Sequence, residues 1–95
     1  MKHSQLKGQK AIVTGGNSGI GKGIAIALAQ AGADIVVNYH SHEDEAKEVV
    51  NEIQKLGARA FAYQADVSQE NEVEGLFEAA LKQFGDLDIL INNSG

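Results

Sequence analysis

The sequence predicts an α/β protein of the doubly wound kind, a parallel sheet with helices on both of its faces. Three features lead to this class. Four short apolar runs recur at near-equal intervals along the 95 residues. Between them lie stretches with apolar residues at i, i+3, i+4 and i+7, the spacing of one helix face. A glycine closes each helical stretch where the next strand must begin, a position that favours left-handed backbone.

In chain order, Ala11-Ile12-Val13 is the first strand, and Ile20, Ile24, Ala27, Leu28 and Ala31 form the apolar stripe of the first helix, ended at Gly32. Ile35-Val36-Val37 is the second strand. Ser41, with Asp44 three residues on, has the form of a capping box for a second helix. The stripe of that helix is Ala46, Val49, Val50 and Ile53, and its stop is Gly57. Ala60-Phe61-Ala62-Tyr63 is the third strand. Ser68 is the expected N-cap of a third helix, with stripe Val73, Leu76, Phe77, Ala80, Leu81 and Phe84 and stop Gly85. Ile89-Leu90-Ile91 is the fourth strand, completing βαβαβαβ. Strands joined through helices pair in parallel, and strands this apolar are covered on both faces. No proline or low-complexity segment interrupts the pattern, so residues 1–95 read as one unit without an internal boundary.

Composition narrows the function. The net charge is −5 and the eight basic residues are scattered, whereas nucleic-acid backbones require clustered Lys and Arg, so no nucleic-acid partner is expected. No apolar run approaches the roughly 20 residues of a membrane span, and the first ten residues hold no signal-peptide core. Cysteine is absent, which removes disulfides and thiolate metal sites. His40 and His42 diverge at i and i+2, and no carboxylate set stands at ligand spacing, so no metal site is expected. The expectation is a soluble cytoplasmic protein. The acidic run Glu43, Asp44, Glu45 and Glu48 reads as the first turns of a helix, where the macrodipole favours carboxylates.

The segment VTGGNSGIGKG, Val13 to Gly23, lies between the first strand and the first helix. A glycine-rich turn there presents backbone N–H groups at a helix N-terminus and suits phosphate. Counted from Gly16, it matches the nucleoside-triphosphate loop GxxxxGK but has Gly23 where Ser or Thr would hold Mg²⁺. The fourth strand also runs into Asn92, Asn93 and Ser94 rather than a metal-binding Asp. Counted from Gly15, the spacing is Gly15-x-x-x-Gly19-x-Gly21, preceded by Thr14. A tight turn with no ligand is the third reading of the same glycines.

The second register, Thr14 through Gly21, resembles the TGxxxGIG cofactor loop of the short-chain dehydrogenases/reductases. Asp66-Val67 after the third strand and Asn92-Asn93-Ser94-Gly95 after the fourth are similar to two further motifs of that family, the last in its Asn-Asn-Ala-Gly form. The resemblance implies a Rossmann-type sheet of order 3-2-1-4, with a dinucleotide along the carboxyl edge of the strands. It implies that the loop from Gly15 through Asn17, Ser18, Gly19, Ile20 and Gly21 faces the pyrophosphate and neighbouring ribose. Asp66 and Val67 would meet adenine; Asn92, Ser94 and Gly95 would line the adenosine-side ribose and the path to nicotinamide. Tyr39, His40 and Ser41 complete this edge. Thr14 and Asn93 are expected to tie the first and fourth strands together.

An Asp or Glu ending the second strand would select NAD through its ribose hydroxyls. Asn38-Tyr39-His40-Ser41 stands there instead. Members of the glucose-dehydrogenase and ketoacyl-reductase type often have Arg where this chain has His40, and an imidazole is only partly protonated near neutral pH. The balance tips slightly to NADP(H) over NAD(H). The resemblance further implies hydride transfer between an alcohol and a small carbonyl substrate, and a homo-oligomeric complete protein. The family's Tyr-x-x-x-Lys signature is not met: four residues after Tyr39 is Glu43, and four after Tyr63 is Val67. No catalytic residue is therefore named in this chain. It is expected to be the cofactor-binding half of a longer domain, marginal alone because its fourth strand leaves an apolar unpaired edge. The alternative is a non-catalytic dinucleotide-binding or interaction module.

Overall fold

The computed structural model describes residues 5–93. Its elements are β1 (Lys10–Val13), α1 (Gly19–Gln30), β2 (Asp34–Tyr39), α2 (Glu43–Lys55), β3 (Ala60–Gln64), α3 (Glu70–Phe84) and β4 (Ile89–Ile91). All strand pairs are parallel and the sheet order is β3-β2-β1-β4. Right-handed crossovers explain the layering. The steps from β1 to β2 and from β2 to β3 move in one direction across the sheet, so α1 and α2 cover one face. The step from β3 to β4 returns past β2 and β1 and places α3 on the other.

Alternation along the strands sends neighbouring side chains to opposite faces. Ala11, Val13, Ile35, Val37 and Tyr39 pack against Ala25 and Ala29 of α1 and Ala46, Val49 and Ile53 of α2. Ile12 and Val36 face the other way, toward Leu76 and Ala80 of α3. All four strands point the same way, but the order in which they are added reverses between β1 and β4, because α1 leaves β1 toward β2 whereas α3 arrives from the far edge. That reversal opens a crevice at the carboxyl ends of the two strands.

Three local expectations are corrected. The contact face of α1 is Gly21, Ala25 and Ala29 rather than the stripe beginning at Ile20; Ile20 is 77% exposed and Ala27 is exposed. Small residues at i and i+4 spacing bring this helix close to the sheet, and the larger Ile24 and Leu28 flank the contact. The Ser41–Asp44 capping box does not form: the N-cap of α2 is His42, with φ 66° and no side-chain cap. Ser68 does not cap α3, whose N-cap is Gln69. Its hydroxyl and N–H both donate to Asp66 Oδ1, at 2.7 and 3.0 Å. The helix stops hold, with Gly32, Gly57 and Gly85 all at positive φ. In α3, Leu76 and Ala80 are buried as the stripe predicts, but Leu81 is exposed.

Candidate functional site

The turn between β1 and α1 has its glycines for two different reasons. Gly19 has φ 59°, and a Cβ there would meet open space, so only the left-handed backbone requires glycine. At Gly21 the constraint is space: a Cβ would collide with the carbonyl of Gly15 and lie 2.6 Å from Asn93 Nδ2. Helix α1 therefore starts pressed against the end of the sheet, with its first turn facing outward.

That first turn is a set of donors without internal acceptors. The N-cap Ser18 makes no side-chain cap, and no acidic residue stands in the first turn. Among the described residues no acceptor meets the N–H groups of Gly19, Ile20 or Gly21. Helices α2 and α3 differ, with Glu43, Asp44 and Glu45 in one first turn and Glu70 and Glu72 in the other. Their own carboxylates answer the dipole, whereas the first turn of α1 has no carboxylate of its own.

Four polar side chains hold the loop in place. The Thr14 hydroxyl donates to Ile91 O (3.2 Å) and accepts the Asn93 N–H (2.8 Å), while Thr14 N–H also donates to Ile91 O (3.0 Å). Asn93 Nδ2 reaches Gly15 O at 3.4 Å. Thr14 and Asn93 thus tie β1 to β4 as expected. The buried Asn17 amide donates to Ser41 O (3.2 Å) and Glu45 Oε1 (3.4 Å), binding the loop to the β2–α2 turn. Asn38, 1% exposed, accepts the Gly15 N–H at Oδ1 (3.2 Å) and donates through Nδ2 to the carbonyls of Tyr63 and Ala65, each at 3.2 Å.

Next to the loop, on the α3 side, lies a cavity of about 540 Å³ lined by Thr14, Asp66, Val67, Ser68, Val73, Leu76, Phe77, Leu90 and Asn92. Its wall is mostly apolar, and Asp66 stands at its rim. The two bonds from Ser68, and then the imidazole of His40 3.8 Å away, hold the Asp66 carboxyl below the usual carboxylate range. Asp66 N–H donates to Glu72 Oε1 (2.7 Å), which fixes the start of this segment. A flat apolar group with polar edges fits such a cleft.

Of the residues singled out from sequence, Gly15, Asn17, Ser18, His40, Ser41, Asp66, Val67 and Asn92 lie on the segments that leave the carboxyl ends of β1, β2, β3 and β4, and Gly19, Ile20 and Gly21 form the first turn of α1 at the same end. Tyr39 does not join them. Its side chain is 7% exposed and belongs to the core beneath α1 and α2, because position 39 shares the inward phase of Ile35 and Val37. Ser94 and Gly95 lie outside the described residues. Sequence reasoning gave no role to Asn38; a polar residue at the end of the apolar run IVVNY was its one signal, since a buried amide has to be satisfied.

The short chain dehydrogenase family profile matches residues 9–95. The chain belongs to the short-chain dehydrogenase family. A hydroxynaphthalene reductase-like protein of Metarhizium brunneum is 56% identical over 90 residues, covering 95% of this chain and 34% of that protein. The crystal structure of a short chain dehydrogenase from Burkholderia cenocepacia in complex with NADP superposes with TM-score 0.93 at 44% identity, over 96% of this chain and 37% of that one. A 7α-hydroxysteroid dehydrogenase complexed with NADH and 7-oxo glycochenodeoxycholic acid gives TM-score 0.91 at 46% identity, over 99% and 36%. The architecture is thus Rossmann-like, and the chain spans about a third of the length of these short-chain dehydrogenases. Among the described residues no helix is long and apolar enough to cross a membrane.

Proposed function

We propose that this chain forms the dinucleotide-binding portion of a short-chain oxidoreductase that interconverts an alcohol and a small carbonyl compound by hydride transfer. One observation carries the reading: the uncapped first turn of α1, free of carboxylates, opens at the carboxyl edge of the sheet beside the crevice between β1 and β4. The donor chemistry fits a pyrophosphate. Gly19, Ile20 and Gly21 offer N–H groups to it, and the exposed Ile20 side chain gives apolar cover to the adjoining ribose. Asp66, with a carboxylate that accepts N–H donors, and Val67, with an apolar surface, suit an adenine in the neighbouring cleft. Asn92 continues the path toward the nicotinamide, which when bound accepts or delivers the hydride. This chain's own residues bind and orient; neither tyrosine stands in the proton-transfer signature of the family.

NADP(H) is favoured slightly over NAD(H). No carboxylate ends β2 to repel a 2′-phosphate: Asn38 and Tyr39 are buried, and the exposed positions are His40 and Ser41, an imidazole and a hydroxyl. The related structures hold NADP in one case and NADH in the other, so both cofactors are known to similar sheets. Calorimetric titration at low salt of the protein expressed from its full reading frame tests the proposal. Binding of both dinucleotides, NADP⁺ the tighter, is expected. Equal affinity would overturn the cofactor preference, and absence of binding to either would overturn the function.

A further inference from the structure

We propose that Asn38 is a positioning residue that sets the spacing between the anion-binding loop and the segment carrying Asp66. The inference rests on the dinucleotide reading of the carboxyl edge. In the sheet order, β2 lies between β1 and β3, so the loop after β1 and the segment after β3 are not strand neighbours. Asn38 sits at the end of that intervening strand. Its Oδ1 accepts the Gly15 N–H on one side, and its Nδ2 donates to the carbonyls of Tyr63 and Ala65 on the other. Ala65 immediately precedes Asp66. A single amide group thus spans the two halves of the site.

The assignment of the amide atoms is fixed by their partners, since an N–H needs the oxygen and carbonyls need the nitrogen. Burial adds rigidity. Asn38 projects to the same side of β2 as Val36, where an apolar residue would continue the core, and water does not reach it. Its backbone also takes part: Asn38 O accepts the Gly16 N–H at 2.9 Å. The N–H groups of Gly15 and Gly16 are consequently used inside the protein, whereas those of Gly19, Ile20 and Gly21 at the helix start are not. Asn38 touches neither proposed ligand group; it acts by holding the parts that do.

A positioning role separates a ligand that bridges both halves from ligands that occupy one. Adenosine probes the Asp66 cleft, inorganic pyrophosphate the loop, and ADP both together. Their dissociation constants are to be measured by chemical-shift titration on the protein from its full reading frame, with Asn38→Ala and Asn38→Asp. The aspartate keeps the acceptor for Gly15 and loses the two donors. The expected result is about a tenfold loss of ADP affinity, the scale of one buried hydrogen bond, with adenosine and pyrophosphate each changed less than about twofold. A parallel loss for all three ligands, unchanged ADP affinity, or failure of both variants to fold would overturn the positioning role. Failure of the unsubstituted protein to bind any of the three would instead overturn the dinucleotide reading.

Discussion

The two ends of the sheet have cavities of nearly the same volume, about 540 Å³ at the carboxyl end and about 510 Å³ at the amino end, yet their polar groups are disposed in opposite ways. At the amino end the charges answer one another. The Asp34 carboxylate accepts from Arg59 N–H (2.9 Å) and Nε (3.0 Å), and Arg59 Nη2 lies 2.9 Å away. The guanidinium also lies 5.0 Å from the centre of the Phe84 ring. Lys10 donates its backbone N–H to Asp88 (2.8 Å) and its ammonium to Gly8 O (2.7 Å), with Asp86 3.5 Å away. At the carboxyl end the side chains hold the backbone in place, and the helix donors are left outward. Cavity size does not separate the two ends; among the described residues, the N–H groups left without acceptors at the start of α1 do.

Substitutions at the two ends should therefore behave differently, and the largest effect is expected at Gly21. A methyl group there meets the Gly15 backbone, which cannot withdraw cheaply, as well as the Asn93 amide. Gly21→Ala should destabilise by about 3 kcal/mol and weaken NADP⁺ binding more than tenfold, as read by urea unfolding and calorimetry on the same samples. Next is Thr14→Val, which removes the hydroxyl joining β1 to the Asn93 N–H. A loss of about 1–2 kcal/mol in the same unfolding assay is expected.

Gly19→Ala faces no collision, only the left-handed backbone, so its stability cost should be about 1 kcal/mol. Affinity for NADP⁺ should nonetheless fall, because the methyl enters the open space over the helix start. At the amino end, Asp34→Asn breaks an ion pair with a well-exposed partner and should cost under about 1 kcal/mol. Dinucleotide affinity should stay within about twofold; a larger drop would erase the contrast between the two ends.

The smallest effect is a matter of pH. Because the folded Asp66 carboxyl is held below its ordinary range, its contribution is present above that range and lost only as pH falls through the folded value. Between about pH 5 and 8 it should remain ionised. Ser68→Ala removes its largest cause, so the carboxyl resonance should titrate at higher pH than in the unsubstituted protein when followed by ¹³C NMR.

Much of this fold is written in the sequence, because apolar runs of period two and stripes of period 3.6 are spaced as a doubly wound sheet requires. The order of strands followed from the parallel layout and the family resemblance together. What escaped depended on size and on partners distant in the chain. The contact face of α1 is carried by Gly21, Ala25 and Ala29, and counting large apolar residues moves the stripe by one position. Ser68 is drawn to the Asp66 carboxylate instead of the helix end, a competition that local capping rules do not weigh. Tyr39 looks like an edge residue until strand phase places it in the core. In the candidate site, the loop is marked by its glycine spacing and Asp66 by the family resemblance, whereas Asn38 acquires meaning only when β1 and β3 are seen on either side of it.

The central claim is that the start of α1 receives the phosphates of a dinucleotide. Amide shifts followed by ¹⁵N NMR while NADP⁺ is added to the protein from its full reading frame test it most directly. The largest shifts are expected at Gly19, Ile20 and Gly21, with Asp34 and Arg59 nearly unmoved. Saturable binding that leaves Gly19, Ile20 and Gly21 in place, or that shifts the amino end instead, would contradict it.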